Sequence, residues 1–262
     1  MGVLRYKGYL IDLDGTMYRG TAPIDGAGDF IETLQAQHIP YVFVTNNSSA
    51  TEAMVVEKLA RFGIDTTPDH VLTSATATAK YIARAQQGAT CYIIGEKGLH
   101  EACEKAGLKK SASDADFVVM GIDREISYEK LKTAALHVRR GATFISTNKD
   151  AAIPTEEGLL PGNGSLTSVV SVSTGVAPIF VGKPEPIIME EALRMIGLDR
   201  KEVLMVGDNY TTDILAGVHA RMDTLMVLTG FSSREDVVGV PEAEKPTYIM
   251  DDLHVWRKEK MV

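Results

Sequence analysis

Tyr9-Leu10-Ile11-Asp12-Leu13-Asp14-Gly15-Thr16 is the stretch on which the reading of this chain turns. A short apolar run ends in two aspartates that flank one leucine, and a glycine follows at once. Three further segments share the design. Tyr41-Val42-Phe43-Val44 leads into Thr45-Asn46-Asn47, and Ile179-Phe180-Val181 leads into Gly182-Lys183-Pro184. Val203-Leu204-Met205-Val206 leads into Gly207-Asp208-Asn209, with Asp213 shortly after. Apolar runs of this length read as buried strands. In an open parallel sheet, functional groups gather beyond the carboxyl ends of the strands. The four segments are therefore expected to meet in space, bringing a carboxylate pair, a hydroxyl, an ammonium and a further acidic cluster. That set suits a metal-assisted reaction on a phosphate.

Strand-like runs alternate with helix-like stretches along the whole chain, the signature of a parallel sheet covered by helices in an α/β fold. Near 186–196 the helical period is clear: Ile188, Met189, Ala192, Leu193 and Ile196 form an apolar stripe, with Glu190, Glu191 and Arg194 opposite. Ser49 and Glu52 have the spacing of a capping box and announce another helix ending near Gly63. The interval between Thr45 and Lys183 has its own βα rhythm. Strands are expected at Thr90–Ile94, Phe117–Met120 and Thr143–Ser146, and helices near 97–106 and 127–139. We read it as an inserted domain over 76–178, with 1–75 and 179–262 forming the core. The alternative is one continuous sheet of about eight or nine strands.

Composition narrows the function classes. The 262-residue chain is 45% hydrophobic and 24% charged, as a globular protein is. A formal charge of −8 disfavours a nucleic-acid partner, which calls for a basic patch, and also acidic membranes. No apolar run reaches the 18 or so residues of a membrane span, and the start lacks a signal-peptide pattern. Met1-Gly2 carries no myristoylation pattern, because Tyr6 stands where Ser or Thr is needed. Two cysteines, Cys91 and Cys103, without metal or redox spacing suit a reducing cytoplasm. The six histidines show no helical i, i+4 pair of the kind a zinc site uses.

The residue types then suggest roles. Asp12 and Asp14 leave the strand towards opposite faces, and Gly15 permits a sharp turn that re-aims the second carboxylate. Two carboxylates in different environments can divide the work of nucleophile and general acid. Thr45 and Asn46 lie between a strand and a helix N-terminus, where backbone N–H groups and a hydroxyl can cradle an oxyanion; Asn47 and Ser48 read as structural caps. Lys183 is placed to neutralise Asp12 and a transferring phosphoryl group. Asp213 has two even readings: a group that fixes a metal ligand or water, or the charge on the first turn of a helix. Asn148, Lys149 and Asp150, just past the strand at 143–146, are expected to reach the leaving group. Gly162-Asn163-Gly164 lacks the Gly-Lys-Ser/Thr ending of a P-loop and reads as a tight turn before a helix near Ser165. Trp256 and the basic residues 257–260 read as a solvated terminal helix.

Four ordered motifs, each after a strand, resemble the haloacid dehalogenase superfamily of aspartate-nucleophile phosphotransferases. Thr147-Asn148-Lys149-Asp150, Pro154-Thr155-Glu156 and Gly158-Leu159-Leu160-Pro161-Gly162-Asn163-Gly164 resemble its NagD-type, p-nitrophenyl-phosphatase-like branch. The resemblance covers nearly the whole chain. It implies a three-layer Rossmann-like core with a parallel sheet and a smaller inserted α/β cap of the C2 type. It also implies a phosphatase acting on small phosphate monoesters, such as a sugar phosphate or a nucleotide. In that mechanism Asp12 becomes an aspartyl phosphate, and Asp14 protonates the leaving alcohol and then deprotonates the hydrolytic water. Mg²⁺ is implied on the side chains of Asp12 and Asp208 and the backbone carbonyl of Asp14, with Asp213 in or next to the ligand set. Insert domains in relatives often offer a dimer surface, so a homodimer is an expectation of the resemblance. A phosphomutase uses the same core. A dehalogenase is disfavoured, since Asp14 then has no alcohol to protonate. A phospho-accepting receiver module is about half this length, and its acidic pair precedes the phosphorylated strand.

Overall fold

The computed structural model describes residues 6–155 and 157–254. Met1, Gly2, Glu156, Trp256 and residues 257–260 lie outside the described residues. The chain divides into two compact units, one made of 1–45, 52–72 and 183–262 and the other of 46–51 and 73–182.

The first unit carries a six-stranded sheet in the order Tyr248–Met250, Asp223–Val227, Val203–Gly207, Gly8–Ile11, Tyr41–Thr45, Val71–Thr73. Gly8–Ile11 lies at the centre and is wholly buried, which is why it reads as a continuous apolar run. It pairs in parallel with both neighbours, Ile11 standing opposite Val206 on one side and Phe43 on the other. This register carries the three strand ends to one edge of the sheet. Helix Ala27–Ala36 buries Ala27, Phe30, Ile31 and Leu34.

Helix Pro186–Ile196 buries Ile188, Met189, Ala192 and Leu193 of the expected stripe. Glu191, expected on the polar face, is buried too, and Arg194 reaches it at 3.1 Å. The helix expected from Ser49 begins at Glu52, so no capping box spans those residues. Instead Asn47 Oδ1 accepts the N–H groups of Ser49 and Ala50, each at 2.9 Å.

The second unit has a five-stranded parallel sheet in the order Ile179–Phe180, Thr143–Ser146, Phe117–Met120, Thr90–Ile94, Lys109–Lys110. Ile94, Val118, Met120, Ala134, Val138, Phe144 and Val170 form a core beneath it. Ile179–Phe180 thus corrects the sequence reading, which made it a strand of the same sheet as the other three runs. It pairs with Thr143–Ser146 at the edge of this second sheet, and Ile179 is exposed accordingly. An apolar run announces a strand but not the sheet it joins. Both cysteines are buried here, and burial pushes each thiol up to about 12. Among the described residues no helix is long and apolar enough to cross a membrane.

Candidate active site

Asp12 follows the central strand directly, and its N–H donates to the Val206 carbonyl at 2.8 Å, continuing the ladder one step past Ile11. The residue is 7% exposed. Lys183, 2% exposed, reaches Asp12 Oδ1 at 2.5 Å, Asp213 Oδ1 at 2.7 Å and the Val44 carbonyl at 2.9 Å. One ammonium therefore ties together the ends of three strands, two through aspartates and one through a main-chain oxygen beside Thr45. Burial opposes its charge, but Asp12 and Asp213 outweigh burial and raise its pKa, so it stays charged.

Asp208 follows the strand Val203–Gly207. Its Oδ2 accepts the Phe231 N–H at 2.6 Å, and Thr16 Oγ1 lies 3.4 Å from its Oδ1 and 3.5 Å from Asp12 Oδ2. Asp208 is wedged between two glycines. A Cβ on Gly15 would fall 2.2 Å from Asp208 Oδ2, and one on Gly230 would fall 1.9 Å from it. Gly15 also has φ +92°, a conformation that glycine adopts at little cost.

Asp213 is 1% exposed and lies in a π-helical turn, Tyr210–Ile214. Both readings of this residue find support: it is the acidic residue in the first turn of this helix, and it also faces Lys183. Asn209 caps the turn, its Oδ1 accepting the Thr211 N–H at 3.0 Å. Asp213 turns inward, with Oδ1 on Lys183 and Oδ2 accepting the Asn209 N–H at 3.0 Å.

Carboxylate oxygens of Asp12, Asp208 and Asp213 lie within 4.8 Å of one another. Burial, then the charge of Asp213, holds the Asp12 carboxyl well above the usual carboxylate range. The same two causes raise Asp208 to about 6. Three crowded anions against one ammonium make a donor set of hard oxygens that fits a divalent cation. Asp14 is exposed, and its side chain lies outside this triad.

In the second unit, Asn46 is bound to two of the expected substrate-contacting residues. Its Nδ2 donates to both oxygens of Asp150 at 3.3 Å, and its carbonyl accepts from Asn148 Nδ2 at 2.9 Å and from Ser74 Oγ at 2.7 Å. Lys149, between them, is exposed. Asn163 corrects the loop reading of Gly162-Asn163-Gly164. It begins the helix Asn163–Thr174, is buried, and its Nδ2 lies 2.9 Å from Ser146 Oγ and 2.8 Å from the Asn148 carbonyl. It braces the turn that presents Asn148 to Asp150.

Two contributors escaped the sequence reading. Thr16 stands between Asp12 and Asp208. The segment Thr229-Gly230-Phe231 holds Asp208 and, through Thr229 Oγ1, the Gly15 carbonyl at 2.7 Å. The second was findable, since it follows the strand Asp223–Val227 just as the other segments follow theirs.

Comparison with known proteins accords with this geometry. A family model described as haloacid dehalogenase-like hydrolase matches residues 9–109, and a second, HAD-hydrolase-like model matches 180–256. The chain is 57% identical over 251 residues to 5'-nucleotidase YutF of Bacillus subtilis, covering 96% of this chain and 97% of that one. It is 56% identical over 253 residues to an acid sugar phosphatase of Staphylococcus aureus, covering 95% and 96%. Its fold matches a mutant of thermostable p-nitrophenylphosphatase from Bacillus stearothermophilus with a TM-score of 0.88 at 52% identity, covering 95% and 97%. The chain belongs to the haloacid dehalogenase-like hydrolases, as a phosphatase of the NagD-like, p-nitrophenyl-phosphatase-like branch.

Proposed function

We propose that the chain hydrolyses small phosphate monoesters with Mg²⁺ through a phosphoryl group carried on Asp12. The observation that carries this reading is the clamp of Lys183 between Asp12 Oδ1 and Asp213 Oδ1, 2.5 and 2.7 Å away, next to a third carboxylate. An acid cluster with one fixed ammonium suits an anionic nucleophile that must approach an anionic ester.

In the first step an Asp12 carboxylate oxygen attacks phosphorus and the bond to the ester oxygen breaks. Asp14 gives its proton to the departing alcohol. In the second step Asp14 takes a proton from water, the water oxygen bonds to phosphorus, and the bond to Asp12 breaks. Lys183 holds Asp12 in line and offsets charge on the phosphoryl group throughout. Thr45 and Asn46 orient the phosphoryl oxygens. The side chains of Asp12 and Asp208 and the carbonyl of Asp14 would hold a Mg²⁺ ion, which when bound would further neutralise the phosphate. Asp213, with both oxygens already engaged, fixes Lys183 and the start of its own turn.

On this reading the first unit, 1–45, 52–72 and 183–262, is the catalytic core and the second, 46–51 and 73–182, is the cap, somewhat wider than the 76–178 expected from sequence, and Asn148, Lys149 and Asp150 contact the leaving group. Asn148 and Asp150 are both hydrogen-bonded to Asn46, the residue after Thr45, which supports their part in substrate contact. The test is phosphate release from a broad panel of phosphomonoesters with Mg²⁺ present. Turnover that stops with EDTA and returns with Mg²⁺ is expected; undiminished turnover in excess EDTA rules out the metal's part.

A further inference from the structure

One cation near Asp14 belongs to none of the four segments. Lys58, on the helix Glu52–Ala60, places Nζ 3.8 Å from the centroid of the Tyr18 ring. That ring is itself fixed. Tyr18 is buried, packs on Phe62 with centroids 5.0 Å apart, and is bridged through its backbone to Asp14. Its carbonyl accepts the Gly15 N–H at 2.7 Å. An ammonium over an aromatic face is held without being neutralised. Lys58 is half-buried, and burial lowers the pKa of its ammonium while the charge of Asp14 acts the other way, as a neighbour within electrostatic reach does.

The other cations near Asp14 are engaged. Lys183 is taken up by Asp12 and Asp213, and the Arg19 guanidinium donates to the Thr229 carbonyl. Among the described residues Lys58 makes no ion pair, so its charge remains available to an incoming group. Such a charge matters here because Asp12, Asp14, Asp208 and Asp213 make the neighbourhood anionic. A leaving group that carries its own negative charge must approach Asp14 to be protonated, and without a cation beside Asp14 it meets repulsion.

Resting on the phosphatase reading above, we propose that Lys58 is a specificity-determining residue that favours phosphomonoesters whose alcohol part carries an anionic group, a carboxylate or a second phosphate, close to the ester oxygen. The Tyr18 face holds the ammonium ready for that group, so little freedom is lost on binding. Half-burial limits its screening by salt without removing it.

The test uses a matched pair of esters, 3-phosphoglycerate and glycerol 3-phosphate, each as a competitor of p-nitrophenyl phosphate hydrolysis with Mg²⁺. The readout is the ratio of their inhibition constants in the wild type, Lys58→Gln and Lys58→Arg. The wild type should favour the carboxylate-bearing ester, Lys58→Gln should cut that preference by about three- to tenfold, and Lys58→Arg should retain most of it. Raising the salt should move the wild-type ratio towards that of Lys58→Gln. An unchanged ratio, equal weakening of both esters, or no competition by 3-phosphoglycerate in the wild type overturns the inference while leaving the phosphatase reading intact. Failure of the wild type to hydrolyse p-nitrophenyl phosphate at all overturns that reading, and this inference with it.

Discussion

Lys183 Nζ and Asp12 Oδ1 lie 2.5 Å apart, and the two residues reach that contact by different routes. Asp12 extends the central strand of the first sheet, whereas Lys183 comes three residues after an edge strand of the second. The pair is buried, and a buried ion pair is sustained only when its remaining charges and hydrogen bonds are satisfied. Asp213 and the Val44 carbonyl do this for Lys183.

Asp12→Asn should remove the nucleophile and leave the fold in place. The amide is nearly isosteric, relieves the crowding of three anions, and leaves Lys183 paired with Asp213. Turnover should fall by roughly three orders of magnitude or more with a melting temperature close to wild type. Retention of more than about a tenth of wild-type kcat excludes Asp12 as nucleophile.

Asp14→Asn should be nearly as damaging for alkyl esters and much less so for p-nitrophenyl phosphate. A good leaving group needs little protonation, so the loss should grow with the pKa of the departing alcohol. A plot of log kcat against leaving-group pKa that runs parallel for mutant and wild type removes Asp14 as the acid.

The raised carboxyl of Asp208 sets a pH dependence with a definite sign. Its folded pKa of about 6 exceeds the ordinary 3.8, so the metal-free folded chain holds this proton more tightly than the unfolded one. The associated stability is full below about 4 and is lost as pH rises towards 6. A divalent cation needs the carboxylate, so it competes with the proton below about 6 and meets no such competition above it. Calorimetric scans should therefore show a larger Mg²⁺-induced rise in Tm at pH 7.5 than at pH 5. Equal rises at both values, or an equal response in Asp208→Asn, count against Asp208 as a ligand.

Alanine at Asn148, Lys149 or Asp150 should reorder the preferred substrates, by about 1–3 kcal/mol of discrimination per lost contact. The effect on p-nitrophenyl phosphate should be smaller than on larger esters, and the Mg²⁺ requirement should persist. Rankings identical to wild type across a substrate panel remove these residues from substrate selection.

Much of the core site was legible because strand ends leave a strong local mark. Asp12, Thr45 and Asp208 each close a run of buried residues, and the parallel register does the rest. Lys183 was recognised for its chemistry although its strand belongs elsewhere, because periodicity reports burial and not the partner strand. Asp213 stayed ambiguous in sequence because a carboxylate near a helix start suits both a cap and an ion pair. In the folded chain it does both, with one oxygen on the Asn209 N–H at the start of the turn and the other on Lys183. Asn163 was hidden for a related reason. Its bonds run to Ser146 and Asn148, and a long-range side-chain network leaves no periodic trace. Glu191, spaced as a polar-face residue, is buried beside Arg194, which no pattern of hydrophobicity announces.

On the proposed mechanism a carboxylate of the chain, and not water, attacks phosphorus first. The stereochemical course at phosphorus tests it most directly, using a thiophosphate ester made chiral with oxygen isotopes and hydrolysed by the Mg²⁺-loaded enzyme. Two successive in-line displacements, first by Asp12 and then by water, predict overall retention of configuration. Overall inversion would mean a single displacement by water and would exclude a phosphoryl group carried on Asp12.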